Sequence, residues 1–231
     1  MSATEPRWNE LLTLACKHLV GVGLTRKDWT WGGGTVLMLR HEHRLSWDID
    51  LFLADPQYLT YLSPRLNDAI AADVDHYTEQ ANHLRCFVEG VGEIDYLMAQ
   101  PVVDLKPERM EITGHGPIQV MSDREILAQK IYYRGPQFTG RDLFDFATVT
   151  ALRPELLEDE QLKQVADIRS NALAARMGKE DLRDGWDKVK RHPNATVQIT
   201  FEEARAGLQK WLGVEPDTPR PKPAPGPGYS M

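Results

Sequence analysis

The apolar positions in the first half of the chain form short runs between turn residues, whereas those in the second half recur at helical spacing. An amphipathic helix is predicted over residues 6–20, because its apolar positions keep helical spacing until two glycines end the pattern. Further helices are predicted over 36–41 and 56–72, and strands over 29–31, 47–53, 83–90, 92–98, 102–105 and 118–121. Beyond residue 121, helices are predicted to start near Ser122, Thr139, Pro154, Lys179 and Thr200.

The change from strands to helices predicts an α+β fold, with a mixed β-sheet flanked by helices and a helical C-terminal portion. We expect a sheet-containing core over residues 1–121 and the helical portion over 122–215. Residues 216–231, "PDTPRPKPAPGPGYSM", are too rich in proline and glycine for regular structure and predict a flexible tail.

Composition and charge narrow the class of protein. An apolar fraction of 42% in 231 residues is enough for a substantial core, so the two cysteines, Cys16 and Cys86, are expected to be reduced. No apolar run approaches the roughly 18 residues that a membrane span needs, which predicts a cytoplasmic protein with no membrane partner. The net charge of −7 argues against a generally basic surface, so any nucleic acid would have to be bound locally.

Two aspartates interrupt the apolar strand predicted over residues 47–53. Side chains alternate between faces along a strand, so Asp48 and Asp50 point the same way while Ile49 and Leu51 point into the core. Neighbouring carboxylates repel each other and resist burial unless a cation lies between them. The pair therefore predicts a site for Mg²⁺, with Mn²⁺ as an alternative, against a simpler interpretation as two solvent-exposed aspartates.

Three consecutive glycines, residues 32–34, lie between a predicted strand and a predicted helix. Glycine permits a tight turn, and the missing Cβ lets backbone N–H groups approach an anion at the start of the helix. A three-glycine turn alone is also compatible with a purely steric role. Next to the paired carboxylates, it favours a phosphate-binding loop facing a metal site, which is what phosphoryl-group transfer requires.

These motifs resemble the first motif of the nucleotidyltransferase (DNA polymerase β-like) superfamily, and more closely the AbiEii/AbiGii toxin family. The resemblance rests on Gly33-Gly34-Thr35, then Arg44 and Ser46, then Asp48-Ile49-Asp50-Leu51-Phe52. It implies a nucleotidyltransferase-fold sheet and transfer of a nucleoside monophosphate from an NTP, with release of pyrophosphate. Some relatives are similar to toxins that add nucleotides to transfer RNA, so the implied partners are an RNA (tRNA) or protein acceptor and a cognate antitoxin.

The same resemblance implies roles for individual residues. Asp48, Asp50 and Asp95 would bind the metal, with Asp95 of "GEIDYLM" also activating the attacking hydroxyl. The family often has lysine two residues before this aspartate, where this chain has Glu93. The residues implied in nucleotide binding are Gly33, Gly34, Thr35, Arg44, Ser46, Lys130, Arg134, Arg141, Asp142 and Asp145.

The later motif, "SDREILAQKIYYRGPQFTGRDLFDFATV", also has features that the residues themselves explain. Ser122 and Glu125 form a capping box, and Lys130 and Arg134 lie four residues apart on one helix face, which indicates an anionic group opposite them. Arg141 and Asp145 have the spacing of a surface salt bridge, an alternative to a role at the active site. The resemblance makes Lys130 a catalytic residue, and the helical portion would complete the active site.

Other interpretations remain open at this point. His41 and His43 diverge on a helix and give weak support to a zinc site. Trp29 and Trp31 favour core packing over base stacking, and one of Tyr132 and Tyr133 could line a nucleobase pocket. The glutamate at position 93 keeps a second hypothesis alive, a catalytically inactive nucleotide-binding or protein-interaction module on the same fold.

Overall fold

One mixed β-sheet forms the centre of the structure, a computed structural model that describes residues 7–103 and 106–214. Within these residues the sheet has seven strands in the order β3-β4-β5-β2-β1-β7-β6. The strands are β1 (Trp29–Gly32), β2 (Ile49–Leu53), β3 (His76–Gln80), β4 (His83–Val88), β5 (Gly92–Leu97), β6 (Glu108–Ile112) and β7 (Gly116–Val120). The tail predicted over 216–231 lies outside the described residues, as do residues 104 and 105.

The central strand β2 separates a buried face from a polar face. Ile49, Leu51 and Leu53 are buried, whereas Asp50 and Phe52 are only partly buried on the opposite face. β2 runs antiparallel to β1 and parallel to β5. The alternation predicted from the sequence is therefore confirmed, and it directs the polar side chains of two parallel neighbours to one side of the sheet.

Helices cover the sheet and form the C-terminal portion. The helices are α1 (Trp8–Gly21), α2 (Gly33–His41), α3 (Gln57–Leu62), α4 (Asp68–Ala71), α5 (Asp123–Gln129), α6 (Gly140–Leu152), α7 (Glu160–Met177), α8 (Glu180–Asp187) and α9 (Phe201–Trp211). A π-helical turn, Lys130–Arg134, continues α5, and short 3₁₀ turns precede α6 and α7. α6 packs against α2, α8 and α9, so one helix joins the sheet-proximal layer to the C-terminal helices. No helix of the described chain is long and apolar enough to cross a membrane.

The core confirms the α+β prediction and the packing role of the tryptophans. Trp29 and Trp31 are buried, and the ring of Trp31 lies 5.9 Å from that of Trp8, between centroids. Both cysteines are free.

Some boundaries differ from those predicted. The helix predicted over 56–72 is broken into α3 and α4, because Ser63 precedes Pro64 and takes an extended conformation that helices do not tolerate. Residues 102 and 103 are not in a strand, since their N–H groups donate to the Glu125 carboxylate. The partner of β7 is β6, which the sequence did not reveal.

The glycines also sit differently from the prediction of a turn before a helix starting at residue 36. Gly32 ends β1, and α2 begins at Gly33. Strand β2 begins at Ile49, so Asp48 lies just before the strand instead of within it.

Candidate active site

Three aspartates lie near one another on the polar face of β2 and β5. Asp50 and Asp95 are direct neighbours in the parallel register of the two strands, and Asp48 precedes β2. All three line a common cavity together with Glu93, which shares the face of Asp95. The structure therefore brings together the carboxylates that the sequence placed on separate strands.

Asp95 is held by two side chains from β4. Arg85 donates from Nε to Oδ1 at 2.7 Å and from its second terminal nitrogen, Nη2, to Oδ2 at 2.9 Å, and His83 Nε2 lies 2.7 Å from Oδ1. Burial alone would raise the pKa of Asp95, but the hydrogen bonds from His83 and Arg85 hold it below its ordinary value. The carboxylate of Asp95 is therefore oriented by two donors that favour its ionised form. Arg85 also pairs with Glu93, at 3.2 Å.

Asp48 and Asp50 differ from Asp95, because their carboxylates accept no hydrogen bond and form no ion pair with any residue of the described chain. Burial and the neighbouring Asp95 and Asp48 charges raise the pKa of Asp50 to about 7. Burial likewise raises the pKa of Asp48. Burial and the mutual repulsion of the carboxylates therefore make it costly for both side chains to be ionised.

The donor chemistry suits a hard divalent cation. No three His, Cys, Asp or Glu side chains in residues 7–103 and 106–214 are already gathered in a metal-binding arrangement. Asp48 and Asp50 nevertheless offer unpartnered carboxylate oxygens, the ligands that Mg²⁺ prefers. His41 and His43 instead contact Asp123 and Asp145, both at 2.8 Å, so nothing in the described chain supports a zinc site there.

Gly33 brings the start of α2 against Asp50. Its φ is +74°, and a Cβ placed there would lie 1.9 Å from Oδ2 of Asp50. A Cβ on Gly34 would lie 2.2 Å from a guanidinium nitrogen of Arg44 and 3.1 Å from Oγ of Ser46. Glycine is therefore required at both positions, because any larger residue would overlap these neighbouring side chains. The N-terminus of α2 consequently faces the carboxylates.

Thr35 occupies a different environment from the cavity. Its side chain is buried, and its hydroxyl donates to the backbone carbonyl of Asp48 at 2.6 Å and accepts from the Ser46 hydroxyl, with 3.1 Å between the two oxygens. Thr35 thus fixes the segment that leads into β2. Through its hydrogen bond to the carbonyl of Asp48, Thr35 positions that residue.

Asp142 binds the two cations of the π-helical turn. Lys130 Nζ lies 2.7 Å from Oδ1 of Asp142, and Arg134 lies 3.2 Å from both carboxylate oxygens. Asp142 also completes a capping box with Thr139 at the start of α6. Burial would raise the pKa of Asp142, but Lys130 and Arg134 lower it. This buried carboxylate is the anion that the spacing of Lys130 and Arg134 predicted.

Asp145 forms a second, wholly buried cluster. It accepts two hydrogen bonds from Arg44, at 2.5 and 2.9 Å, and lies 2.8 Å from His43 and 3.1 Å from Lys130. Burial would raise the pKa of Asp145, yet Arg44, Lys130 and His43 hold it well below its ordinary value. The alternative of a surface pair with Arg141 is wrong, because Asp145 is inaccessible and bonds to these three side chains instead.

A cavity of about 620 Å³ opens beside the carboxylates and is lined by cations. Arg141, Lys188 and Lys190 line its mouth and form no ion pair within the part of the chain that the structure describes. Lys190 is fixed by its backbone, since its carbonyl accepts a 2.7 Å hydrogen bond from Leu45 N–H. The remaining cations, on the cavity wall, are Arg44, Arg85, Lys130 and Arg134.

Several of these residues could not be found from the sequence. His83 and Arg85 alternate with buried residues along β4, a signal for one face of a strand but not for the identity of the neighbour. Lys188 and Lys190 belong to a segment without periodicity, and only its charge could have drawn attention to it.

The chain is similar to known proteins in both sequence and fold. The chain matches the family model described as "Nucleotidyl transferase AbiEii toxin, Type IV TA system" over residues 22–206. It is similar in fold to MenT4, a nucleotidyltransferase toxin from Mycobacterium tuberculosis H37Rv, with 16% identity, a TM-score of 0.51, and coverage of 87% of this chain and 82% of that chain. An antigenic nucleotidyltransferase-like protein from Paracoccidioides brasiliensis shows 15% identity and a TM-score of 0.44, covering 79% of this chain and 97% of that chain. No curated protein sequence matches the chain.

The fold is thus that of a nucleotidyltransferase, as the sequence predicted. The chain belongs to the AbiEii nucleotidyltransferase toxin family of type IV toxin–antitoxin systems. Its enzymatic class is therefore a nucleotidyltransferase.

Replacing Gly33 by alanine tests the close approach of α2 to Asp50. Because the new Cβ would overlap Oδ2 of Asp50 and φ is +74°, we expect nucleotide transfer to fall at least about 100-fold and stability to fall by about 1–3 kcal/mol. Transfer kinetics and urea denaturation measure the two effects. Gly207→Ala in α9 is the matched control, since its Cβ meets nothing within 4 Å and alanine favours the helix. Equal behaviour of the two variants would contradict the role of Gly33.

Proposed function

We propose that the protein transfers a nucleoside monophosphate from an NTP to an RNA acceptor, releasing pyrophosphate, with Mg²⁺ as cofactor and Mn²⁺ as an alternative. The observation that carries this proposal is the unpartnered pair Asp48 and Asp50 at the edge of a cation-lined cavity. A divalent cation would balance the charges of the two aspartates. An anionic ligand would balance the cations of the cavity that form no ion pair in the described chain.

Asp48 and Asp50 would hold the metal ion, and Asp95 lies close enough on the neighbouring strand to join them. The bound ion would neutralise charge on the α-phosphate and lower the pKa of the attacking hydroxyl. Asp95 would also accept the proton of the attacking hydroxyl, and its hydrogen-bond partners orient it for this role. Arg85 and His83 fix the carboxylate, so that its oxygens face the cavity in one orientation.

The cations that line the larger cavity support binding of the triphosphate there. The N-terminus of α2 at Gly33 and Gly34 presents backbone N–H groups and the positive end of the helix dipole. Lys130 is held by Asp142 and Asp145 and lines the same cavity, which supports a role for its ammonium in binding the leaving pyrophosphate. Arg44 and Ser46 line the same cavity next to Gly34.

The chemical step then balances as a single displacement. An acceptor hydroxyl oxygen forms a bond to the α-phosphorus while the bond from that phosphorus to the bridging oxygen breaks. The hydroxyl proton passes to the Asp95 carboxylate, and the pyrophosphate charge is met by Lys130 and Arg134.

RNA is the acceptor that the cavity mouth favours. Arg141, Lys188 and Lys190 are cations without an ion-pair partner in the described chain, although the protein as a whole carries a charge of −7. Such a local cluster can bind a phosphate backbone without a generally basic surface. As a toxin acting on RNA, with tRNA as one acceptor, the protein would work in the cytoplasm and be restrained by an antitoxin protein.

Transfer of label from NTPs tests the proposal directly. Purified protein is incubated with Mg²⁺, total RNA or total protein, and each NTP labelled at the α-phosphorus or, separately, at the γ-phosphorus. We expect RNA to acquire the α-label and not the γ-label, with loss of transfer in EDTA. Labelling of protein alone would reject the RNA acceptor, transfer of the γ-label would indicate a phosphotransferase, and absence of any transfer would reject the proposed reaction.

A further inference from the structure

A second cavity, of about 260 Å³, adjoins the carboxylates at the other end of β2 and β5. It shares Gly34, Asp50, Arg85, Asp95, Lys130 and Arg134 with the cationic cavity, and Asn82, His83 and Gln129 also line it. A larger part of its wall is apolar than in the cationic cavity. The apolar side chains are Phe52, Leu97, Met98, Met121 and Ile126. A nucleotide with its α-phosphate at the carboxylates would therefore have the cationic cavity on one side and a cavity with a mixed apolar and polar lining on the other.

Gln129 lines this second cavity with an amide whose orientation is fixed by hydrogen bonds. Its Nε2 donates to the carbonyl of Gln100 at 3.3 Å and to Oε1 of Glu125 at 2.6 Å. Both partners are acceptors only, so the amide must turn its nitrogen toward them and its Oε1 away. Gln129 lines the cavity, and no side chain or backbone group of the described residues donates to Oε1.

Tyr133 supplies an aromatic surface to the same cavity. Its side chain is 46% exposed, and its orientation is fixed, because the hydroxyl donates to the carbonyl of Gln100 at 3.0 Å. The ring also packs edge-on against Tyr132, with 5.0 Å between centroids. Tyr132 itself lies beneath the guanidinium of Arg169, so Tyr133 is the tyrosine of this pair that faces the cavity.

We propose that this second cavity binds a nucleobase that carries an exocyclic amino group, with Gln129 Oε1 accepting a hydrogen bond from that amine and with Tyr133 and the apolar side chains contacting the ring. The inference rests on the proposed function and names the substrate class of the same site. A base with a carbonyl at the corresponding position would place one acceptor against another and leave both without a donor.

Matched pairs of nucleotides measure this preference. CTP differs from UTP mainly by an amino group in place of a carbonyl, and ATP differs from ITP in the same way. We expect wild-type protein in Mg²⁺ to bind CTP and ATP at least about tenfold more tightly than UTP and ITP in calorimetry without acceptor. If instead all NTPs bind equally but RNA ending in C or A is labelled faster than RNA ending in U, the base in the cavity belongs to the acceptor, and the same recognition holds.

Substitutions of Gln129 and Tyr133 test which side chains cause the preference for amino-bearing bases. Gln129→Met keeps the length of the side chain but has no carbonyl oxygen, and it should reduce the CTP-to-UTP affinity ratio to near one. Tyr133→Phe should keep the ratio, whereas Tyr133→Ala should weaken all four nucleotides together. Because the readout is a ratio, a general loss of stability in Gln129→Met cannot imitate the expected result.

The outcomes separate the two proposals. Transfer of the α-label without any amino-base preference, or a preference that survives in Gln129→Met, would overturn this inference and leave the proposed function standing. Failure of the wild-type protein both to bind any NTP and to transfer label would overturn both.

Discussion

Asp50→Asn should reduce nucleotide transfer at least about 1,000-fold, and Asp48→Asn should have a similar effect. An amide keeps the shape of the carboxylate but removes the charge that would hold a divalent cation, and metal-ion stabilisation of a phosphoryl transition state contributes several kcal/mol, or several powers of ten in rate. The residual rate is measured from α-labelled NTP and RNA at several Mg²⁺ concentrations. Binding of Mn²⁺ measured separately should weaken in both variants.

The same substitutions are expected to leave the fold intact. The carboxylates of Asp48 and Asp50 have no hydrogen-bond or ion-pair partner in the described residues, so no side-chain hydrogen bond is lost and repulsion from Asp95 is relieved. Melting temperatures should therefore be unchanged or higher. Asp167→Asn on the exposed face of α7 is the matched control for a lost carboxylate, and its activity should equal that of the wild type. Transfer within tenfold of wild type in both Asp48 and Asp50 variants would show that these aspartates do not carry the reaction.

The parts of the site that the sequence predicted are those determined by local rules. The alternation of polar and apolar residues placed Asp50 opposite Ile49 and Leu51, as β2 confirms. The helices beginning near Ser122 and Thr139 were predictable because a capping residue acts over only three positions, and both N-caps form. The capping box predicted for Ser122 is only half formed, because the Glu125 carboxylate accepts from the N–H groups of Val102 and Val103 instead. The assignment of these motifs to nucleotide chemistry came from resemblance, not from their periodicity.

The parts that were missed depend on contacts between distant residues or on strands without a buried face. Strand β3 is exposed along its whole length, so it lacks the apolar alternation that marks a strand. Strand β4 was predicted, but the contact of Arg85 with Asp95 is set by the register of β4 and β5. No local pattern specifies which side chain lies across a sheet.

The ion pairs of Asp142 and Asp145 on α6 also depend on contacts that sequence spacing does not reveal. The spacing of Lys130 and Arg134 indicated an anion opposite them, but not that Asp142 supplies it. Arg44 and Asp145 are separated by 101 positions, and their pairing depends on the packing of α2 against α6. Spacing alone favoured Arg141 as the partner, because helical neighbours are the only partners that a sequence makes visible.

Asp145→Ala should lower the free energy of unfolding by about 3–5 kcal/mol, since removing one member of a buried ion pair leaves the other charge uncompensated. The buried guanidinium of Arg44 would lose its two hydrogen bonds to Asp145, and His43 and Lys130 would each lose a partner. Urea denaturation at neutral pH measures the loss. Asp187→Ala, which removes an exposed pair with Arg183, is the matched control and should cost less than about 1 kcal/mol.

A double-mutant cycle with Arg44→Ala separates the pair from the general cost of altering the core. If the two charges stabilise the protein mainly through each other, Arg44→Ala combined with Asp145→Ala should cost clearly less than the sum of the single substitutions. Additive costs would show that each side chain stabilises the fold through its other contacts. Because Arg44 and Lys130 also line the cationic cavity, the same loss should weaken NTP binding, and a variant that loses stability yet binds NTP as tightly as wild type would show that Asp145 does not position these cations.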